Sequence, residues 1–228
     1  MDQKDKAERL KRAPVPAPNA SPEQAHRLPP GQTLTERFPI LHEGEVPDYG
    51  DGSKWSLRVF GLVDGERFFT LEDLKNMPRT TVVCDIHCVT RWSKFDTEWE
   101  GVRFRDLLAA ADIRVSPEAR HVMIHADQDY ETNVPLEDLM RDDVLLAWGY
   151  GGKPLTPKHG WPLRLIVPHL YFWKSAKWVR GIEFMKEDRP GYWERRGFHH
   201  YADPFREQRF SDDSYYMPED EWMHNEYD

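Results

Sequence analysis

The chain has 228 residues, enough for one domain with a buried core and short for two. With 39% hydrophobic and 13% aromatic residues, it carries too much apolar mass for a disordered protein. A net charge of −9 argues against general binding to nucleic acid or anionic membranes, and no apolar run approaches the roughly 20 residues that span a bilayer.

Residues 1–34 are rich in Pro, Ala and charge (APVPAPNASPEQ, then LPPGQ), which favours extended, solvated chain and predicts a flexible arm. The opening MDQKDKAERLKRAP has neither an apolar stretch nor a twin-arginine signal, so a cytoplasmic location is expected. WSLRVFGLVDGERFFTL reads as two strands flanking a turn at Asp64-Gly65. Thr70 caps a short helix that runs to about Met77. TTVVCDIH alternates and reads as a strand ending near His87, the following CVTRWSKFDTEWEGV reads as a loop, and FRDLLAAADI has helical spacing. Farther on, RHVMIHA, VLLAWGY, PLRLIVP and KWVRGIEFM read as strands, and PLEDLM as a short helix opening with Pro. Without regular βαβ alternation, this mixture predicts a single α+β domain with a mixed sheet over residues 35–188. Residues 189–228 form an aromatic, aperiodic tail expected to wrap on the domain, with its acidic last dozen residues mobile.

Cys84 and Cys88 are the only cysteines, which excludes a disulfide framework and fits a reducing compartment. Cys88 lies where a strand ends and a Trp- and Arg-bearing loop begins, a position that holds a side chain rigidly yet leaves it reachable. A metal ligand or a nucleophile suits it, with Arg91 lowering its pKa, and a buried inert thiol is the plain alternative. Cys84, evenly spaced with Cys88, is expected on the same strand face in a core role. Zinc on Cys84, His87 and Cys88 lacks a second ligand pair, and His199-His200 read as surface groups. No nucleotide-binding, zinc-protease or serine-hydrolase motif is present. HGWPLRLIVPHLYFWKSAKWVRG places Arg164 inside an apolar strand, with Lys174, Ser175, Lys177 and Arg180 just downstream. A cation there is costly to bury without an anion, so a phosphate would fit, unless Arg164 simply faces solvent from an edge strand.

RFPILHEG, DIHCVTRWSKFDTEWEGVRFRDLL and HGWPLRLIVPHLYFWKSAKWVRGIEF together resemble the molybdopterin-binding domain of sulfite oxidases and of the periplasmic methionine sulfoxide reductase catalytic subunit. The smaller sulfite oxidase-like oxidoreductases are similar as well. The resemblance covers about residues 36 to 210. It implies a sulfite oxidase-type fold, and a molybdenum–molybdopterin cofactor whose metal is ligated by Cys88, with Arg91 near the reacting centre. Leu41, His42, Asp127, His159, Arg164, Ser175, Ala176 and Lys177 match positions that contact the pterin or its phosphate, with His125 as the rival of Asp127. Oxygen-atom transfer on a small or sulfur-containing substrate follows, the cofactor carrying the chemistry. The Arg91-Trp92 pair departs from the arginine cluster that binds sulfite, which argues against sulfite itself. Without a haem domain in the chain, a separate electron-transfer partner is expected, and neither nucleic acid nor a transmembrane segment. Two other readings stay open: a non-catalytic phosphate- or pterin-binding module, and a thiol redox protein using Cys84 with Cys88.

Overall fold

The computed structural model describes residues 4–211, so the acidic end expected to be mobile lies outside the described residues. In chain order the elements are α1 (Lys4–Lys11), β1 (Thr33–Leu34), β2 (Leu57–Gly61), β3 (Arg67–Phe69), α2 (Leu71–Lys75), β4 (Arg79–His87) and β5 (Trp92–Arg103). Then follow α3 (Phe104–Ala110), β6 (His121–Ala126), β7 (Glu131–Pro135), α4 (Leu136–Leu139), β8 (Leu145–Tyr150), β9 (Lys153–Pro154), β10 (Arg164–Ile166) and β11 (Val179–Met185).

The strands form two mixed sheets. In one, β1, β5, β8 and β10 lie side by side, with β4 and β9 added on β5 and β8. In the other the order is β3-β2-β11-β6-β7, where β11 runs parallel to β2 and antiparallel to β6. Val102, Leu146 and Leu165 from the first sheet and Val59, Ile124, Ile182 and Phe184 from the second share one apolar cluster with Leu107 of α3. The core therefore lies between the sheets, as an α+β arrangement requires. Thr70 and Asp73 cap α2 reciprocally, as the spacing predicts.

Three segments pack in ways that local sequence pattern did not signal. The presumed loop after Cys88 is a 12-residue strand, β5, paired with β4 from Arg79↔Val102 to His87↔Ser93. Its alternation was hidden because the outward positions carry Lys94, Asp96, Glu98 and Glu100, while Ser93, Thr97 and Trp99 point inward. The strand β7, which no expectation covered, is polar in sequence yet buried at Glu131, Thr132 and Asn133. In the stretch read as a flexible arm, of which residues 4–34 are described, Ala7 and Gln32 are buried and β1 pairs with Trp92 and Ser93 of β5. Packing of a few apolar and hydrogen-bonding groups overrides a composition that favours solvation.

An ion-pair network joins the second sheet to the segment after β11. His125 of β6 lies between Glu131 of β7 at 3.4 Å and Glu183 of β11 at 2.9 Å. Arg189 pairs with Glu183 at 2.6 Å, and Arg195 with Glu131. Burial raises the Glu183 carboxyl, but hydrogen bonds from His125 and Arg189 outweigh it and bring the pKa down to about 2, from an ordinary 4.5. A depressed carboxylate stabilises the fold above its unfolded pKa and loses that contribution as pH falls through the folded value. Glu183→Gln should therefore cost about 1–2 kcal/mol near neutrality, allowing for partial exposure, in urea titrations. The difference from the unsubstituted protein should shrink below pH 4.5 and vanish towards pH 2.

Candidate active site

The β4–β5 hairpin closes over Cys88 to Arg91. The Arg91 N–H donates to the Cys88 carbonyl at 3.0 Å and the Cys88 N–H to the Trp92 carbonyl at 2.8 Å, with Arg91 at φ 73°. The turn is also held by residues far from it along the chain, Gln32 and Arg209. Gln32 Nε2 donates to the Cys88 carbonyl at 2.9 Å, and Arg209 Nη1 to the Val89 carbonyl at 3.0 Å. Cys88 is 8% exposed, packs with Val89, Tyr171, Trp173 and Trp193, and has its sulfur 3.1 Å from Thr90 Oγ1. Burial pushes its thiol pKa up, while Thr90, then Arg209 and Lys6, pull it down.

Those two cations, rather than Arg91, act on Cys88. The left-handed turn carries the Arg91 guanidinium behind the hairpin, next to Gly31, Glu207 and Arg209, and Arg91 is absent from the cavity lining. Cys84 is not on the face of Cys88 either. The ladder shifts register between Cys84 and Ile86, which breaks the two-residue parity that even spacing assumes. Cys84 packs beside Val82, Ile86 and Trp99, in a different cluster, and burial lifts its thiol to about 12. That arrangement argues against a cooperating dithiol pair. Among the described residues, no group of three or more His, Cys, Asp or Glu could hold a metal by itself.

The cations of the second block sort by their partners. Lys174 is fully buried against Glu194 at 2.6 Å, and Arg180 faces Asp127 at 3.4 Å, so both are structural. Arg164 and Lys177 differ. Arg164 is 1% exposed, so it does not face solvent from an edge strand. Its Nη atoms donate to the carbonyls of His159 at 2.8 Å and Ser175 at 3.0 Å, and its buried Nε has no hydrogen-bond partner among the described residues. Lys177 Nζ donates to the carbonyls of Leu41 at 2.8 Å and Lys158 at 2.7 Å. Neither has a carboxylate within ion-pair distance among the described residues. Burial lowers Arg164 to about 9, and burial with the charge of Arg164 lowers Lys177 to about 7. Because a guanidinium stays protonated at neutral pH, the shift expresses the cost of a buried cation without its anion.

Backbone geometry brings this pair together. Gly160 has φ 106°, and a Cβ on it would stand 3.1 Å from the Cβ atoms of both Arg164 and Lys177. Only glycine accepts that approach and that dihedral. Ser175 Oγ accepts the Val167 N–H at 2.9 Å and Leu165 donates to the Ala176 carbonyl at 2.8 Å, which lays residues 175–177 along β10. His159 Nδ1 lies 2.7 Å from Thr156 Oγ1, with its ring against Phe38 at 4.6 Å.

One cavity collects these groups, lined by Cys88, Leu41, His42, His159, Arg164 and the Ser175–Lys177 segment. Leu41 stands exposed at its rim. Asp127 and its rival His125 are both outside the lining, because Arg180 engages the first and Glu131 with Glu183 the second. Several lining residues escaped the sequence reading: Lys6, Phe38, Glu43, Tyr130, Trp173 and Trp193. Tyr130 donates to the Trp173 carbonyl at 2.5 Å, and burial, then the charges of Glu194 and Glu43, keep its hydroxyl protonated. Phe38 lies in RFPILHEG and could have been found there; Tyr130 precedes a strand with no apolar pattern and carried no signal.

A sulfur and two cations without a carboxylate partner among the described residues, all lining one cavity, fit a metal-bearing organic group with a phosphate. The oxidoreductase molybdopterin binding domain model matches residues 43–193. The uncharacterized oxidoreductase YuiH of Bacillus subtilis (strain 168) is 50% identical over 189 residues, 83% of this chain and 94% of that one. Mitochondrial sulfite oxidase of Homo sapiens is 28% identical over 204 residues, 75% of this chain but only 37% of that one. Among solved structures, the sulfane dehydrogenase SoxCD from Paracoccus pantotrophus superposes with a TM-score of 0.55 at 28% identity, covering 64% of this chain and 41% of that chain. No helix among the described residues is long and apolar enough to cross a membrane. The chain belongs to the oxidoreductase molybdopterin binding domain family, as a sulfite oxidase-like oxidoreductase that uses molybdenum–molybdopterin.

Proposed function

We propose that the cavity seats molybdenum–molybdopterin with Cys88 Sγ as the protein ligand to the metal, and that the enzyme transfers an oxygen atom on a small sulfur-containing substrate. The observation that carries this reading is the Arg164–Lys177 pair, one cation buried and one half-buried, neither with a carboxylate in ion-pair distance among the described residues, both lining the cavity that Cys88 lines. Arg164 Nε, Lys177 Nζ and the Ser175 hydroxyl would grip the phosphate, and His159 with the Leu41-His42 backbone would flank the ring system. When bound, the cofactor supplies a metal that exchanges an oxygen atom with the substrate and takes up or returns two electrons.

The chain supplies the rest. Trp92, Phe172, Trp173 and Trp193 wall the cavity with apolar rings that exclude water and strengthen every charge interaction inside. Tyr130, held protonated, serves as a hydrogen-bond donor and not as a base. Lys6 is engaged by Glu43 and Arg91 lies off the lining, so the space beside Cys88 suits a neutral sulfur compound better than an oxyanion. Electrons pass to or from a separate partner, and the two free thiols support a cytoplasmic location. Protein purified from cells that make molybdopterin should carry one molybdenum and one pterin per chain by elemental analysis and pterin fluorescence. Stable protein with neither, from such cells, would refute the assignment.

A further inference from the structure

Helix α1 lies outside the segment matched by the family model, yet it forms part of the cavity wall. Lys6 and Leu10, one helical turn apart, both line the cavity, and Ala7 between them is buried in the same cluster as Cys88 and Val89. The other face, at Glu8 and Arg9, is exposed. Among the contacts of α1 are an ion pair from Lys6 to Glu43, the same ammonium 4.4 Å from the Trp193 ring centroid, and Lys11 5.5 Å from that of Phe210. The chain then continues through Pro14, Pro16, Pro18 and Pro22, a semi-rigid tether. A short helix with one narrow inward face and its own tether is the kind of element that opens locally without unfolding the domain.

We infer that α1 is a lid with the Lys6–Glu43 pair as its latch, and that it restricts the site beside Cys88 to free small molecules. A side chain carried on a polypeptide would have to bring its backbone through the volume α1 occupies. This rests on the reading of Cys88 as the centre of the site, but its test needs no metal, so the two can fail separately.

The test uses the full chain from cells that cannot make molybdopterin, with Cys88 resolved from Cys84 by peptide mass spectrometry. Iodoacetamide should reach Cys88 in the unsubstituted protein, whereas a maleimide on a long polyethylene glycol chain should label it far more slowly. Lys6→Glu, which turns the latch repulsive, should speed the bulky reagent at Cys88 by about ten-fold and leave Cys84 unchanged. The exchange Lys6→Glu with Glu43→Lys should restore protection. Equal bulky labelling of all three proteins overturns the lid. So does a parallel rise at Cys84, which would make α1 a general stabiliser, and so does failure of the charge exchange to restore protection.

Discussion

Cys88→Ser is expected to remove essentially all oxidoreductase activity and to lower retained molybdenum by more than about 100-fold, since loss of groups that merely orient ligands already costs 10–100-fold. The substitution changes one atom. Serine matches cysteine in shape, and the Gln32, Arg209 and Trp92 hydrogen bonds that set the turn run to or from the backbone, so the hairpin should persist. What disappears is the soft anion: a hydroxyl is a harder ligand and stays protonated in a site where burial already opposes the charged form of the thiol. The expected signature is loss of metal and of the visible thiolate-to-metal absorption with an unchanged circular dichroism spectrum. Retention of activity at the level of the unsubstituted enzyme would remove Cys88 from the metal.

Arg164→Met should produce opposite outcomes in the cofactor-free and loaded proteins. Without cofactor, the substitution relieves a buried cation of its desolvation cost but strands the carbonyls of His159 and Ser175. These effects oppose each other, so stability should change by less than about 1 kcal/mol. With cofactor, the loss of a buried guanidinium facing a phosphate should weaken retention by about 2–4 kcal/mol, or roughly 30- to 1000-fold. Melting temperature of the cofactor-free protein and pterin retained after gel filtration measure the two sides. A large loss of stability with normal pterin retention would make Arg164 structural and leave Lys177 as the lone phosphate cation.

The two substitutions probe residues of unequal legibility. Cys88 could be singled out from its place at a strand end, and Arg164 from a charge in an apolar run. What neither pattern revealed is which cations lack an anion. Lys174 and Arg180 lie in the same block as Arg164 and Lys177, and only coordinates pair the first two with Glu194 and Asp127. Arg91 and Asp127 matched by position along the chain, but a left-handed turn and a counter-charge direct them elsewhere.

By itself the sequence determined the mixed α+β class, most strands and short helices, and the family, and it singled out Cys88, His159, Arg164 and residues 175–177, which line one cavity. These follow from local rules: two-residue alternation, capping pairs, and the cost of a charge among apolar neighbours. Tertiary structure alone decided that Lys6, Glu43, Tyr130 and Trp193 join the cavity, that β5 is a strand despite its charges, and that Cys84 and Cys88 part company. These depend on contacts between residues far apart along the chain and on one register shift, and local pattern carries no record of which distant partner a side chain will meet.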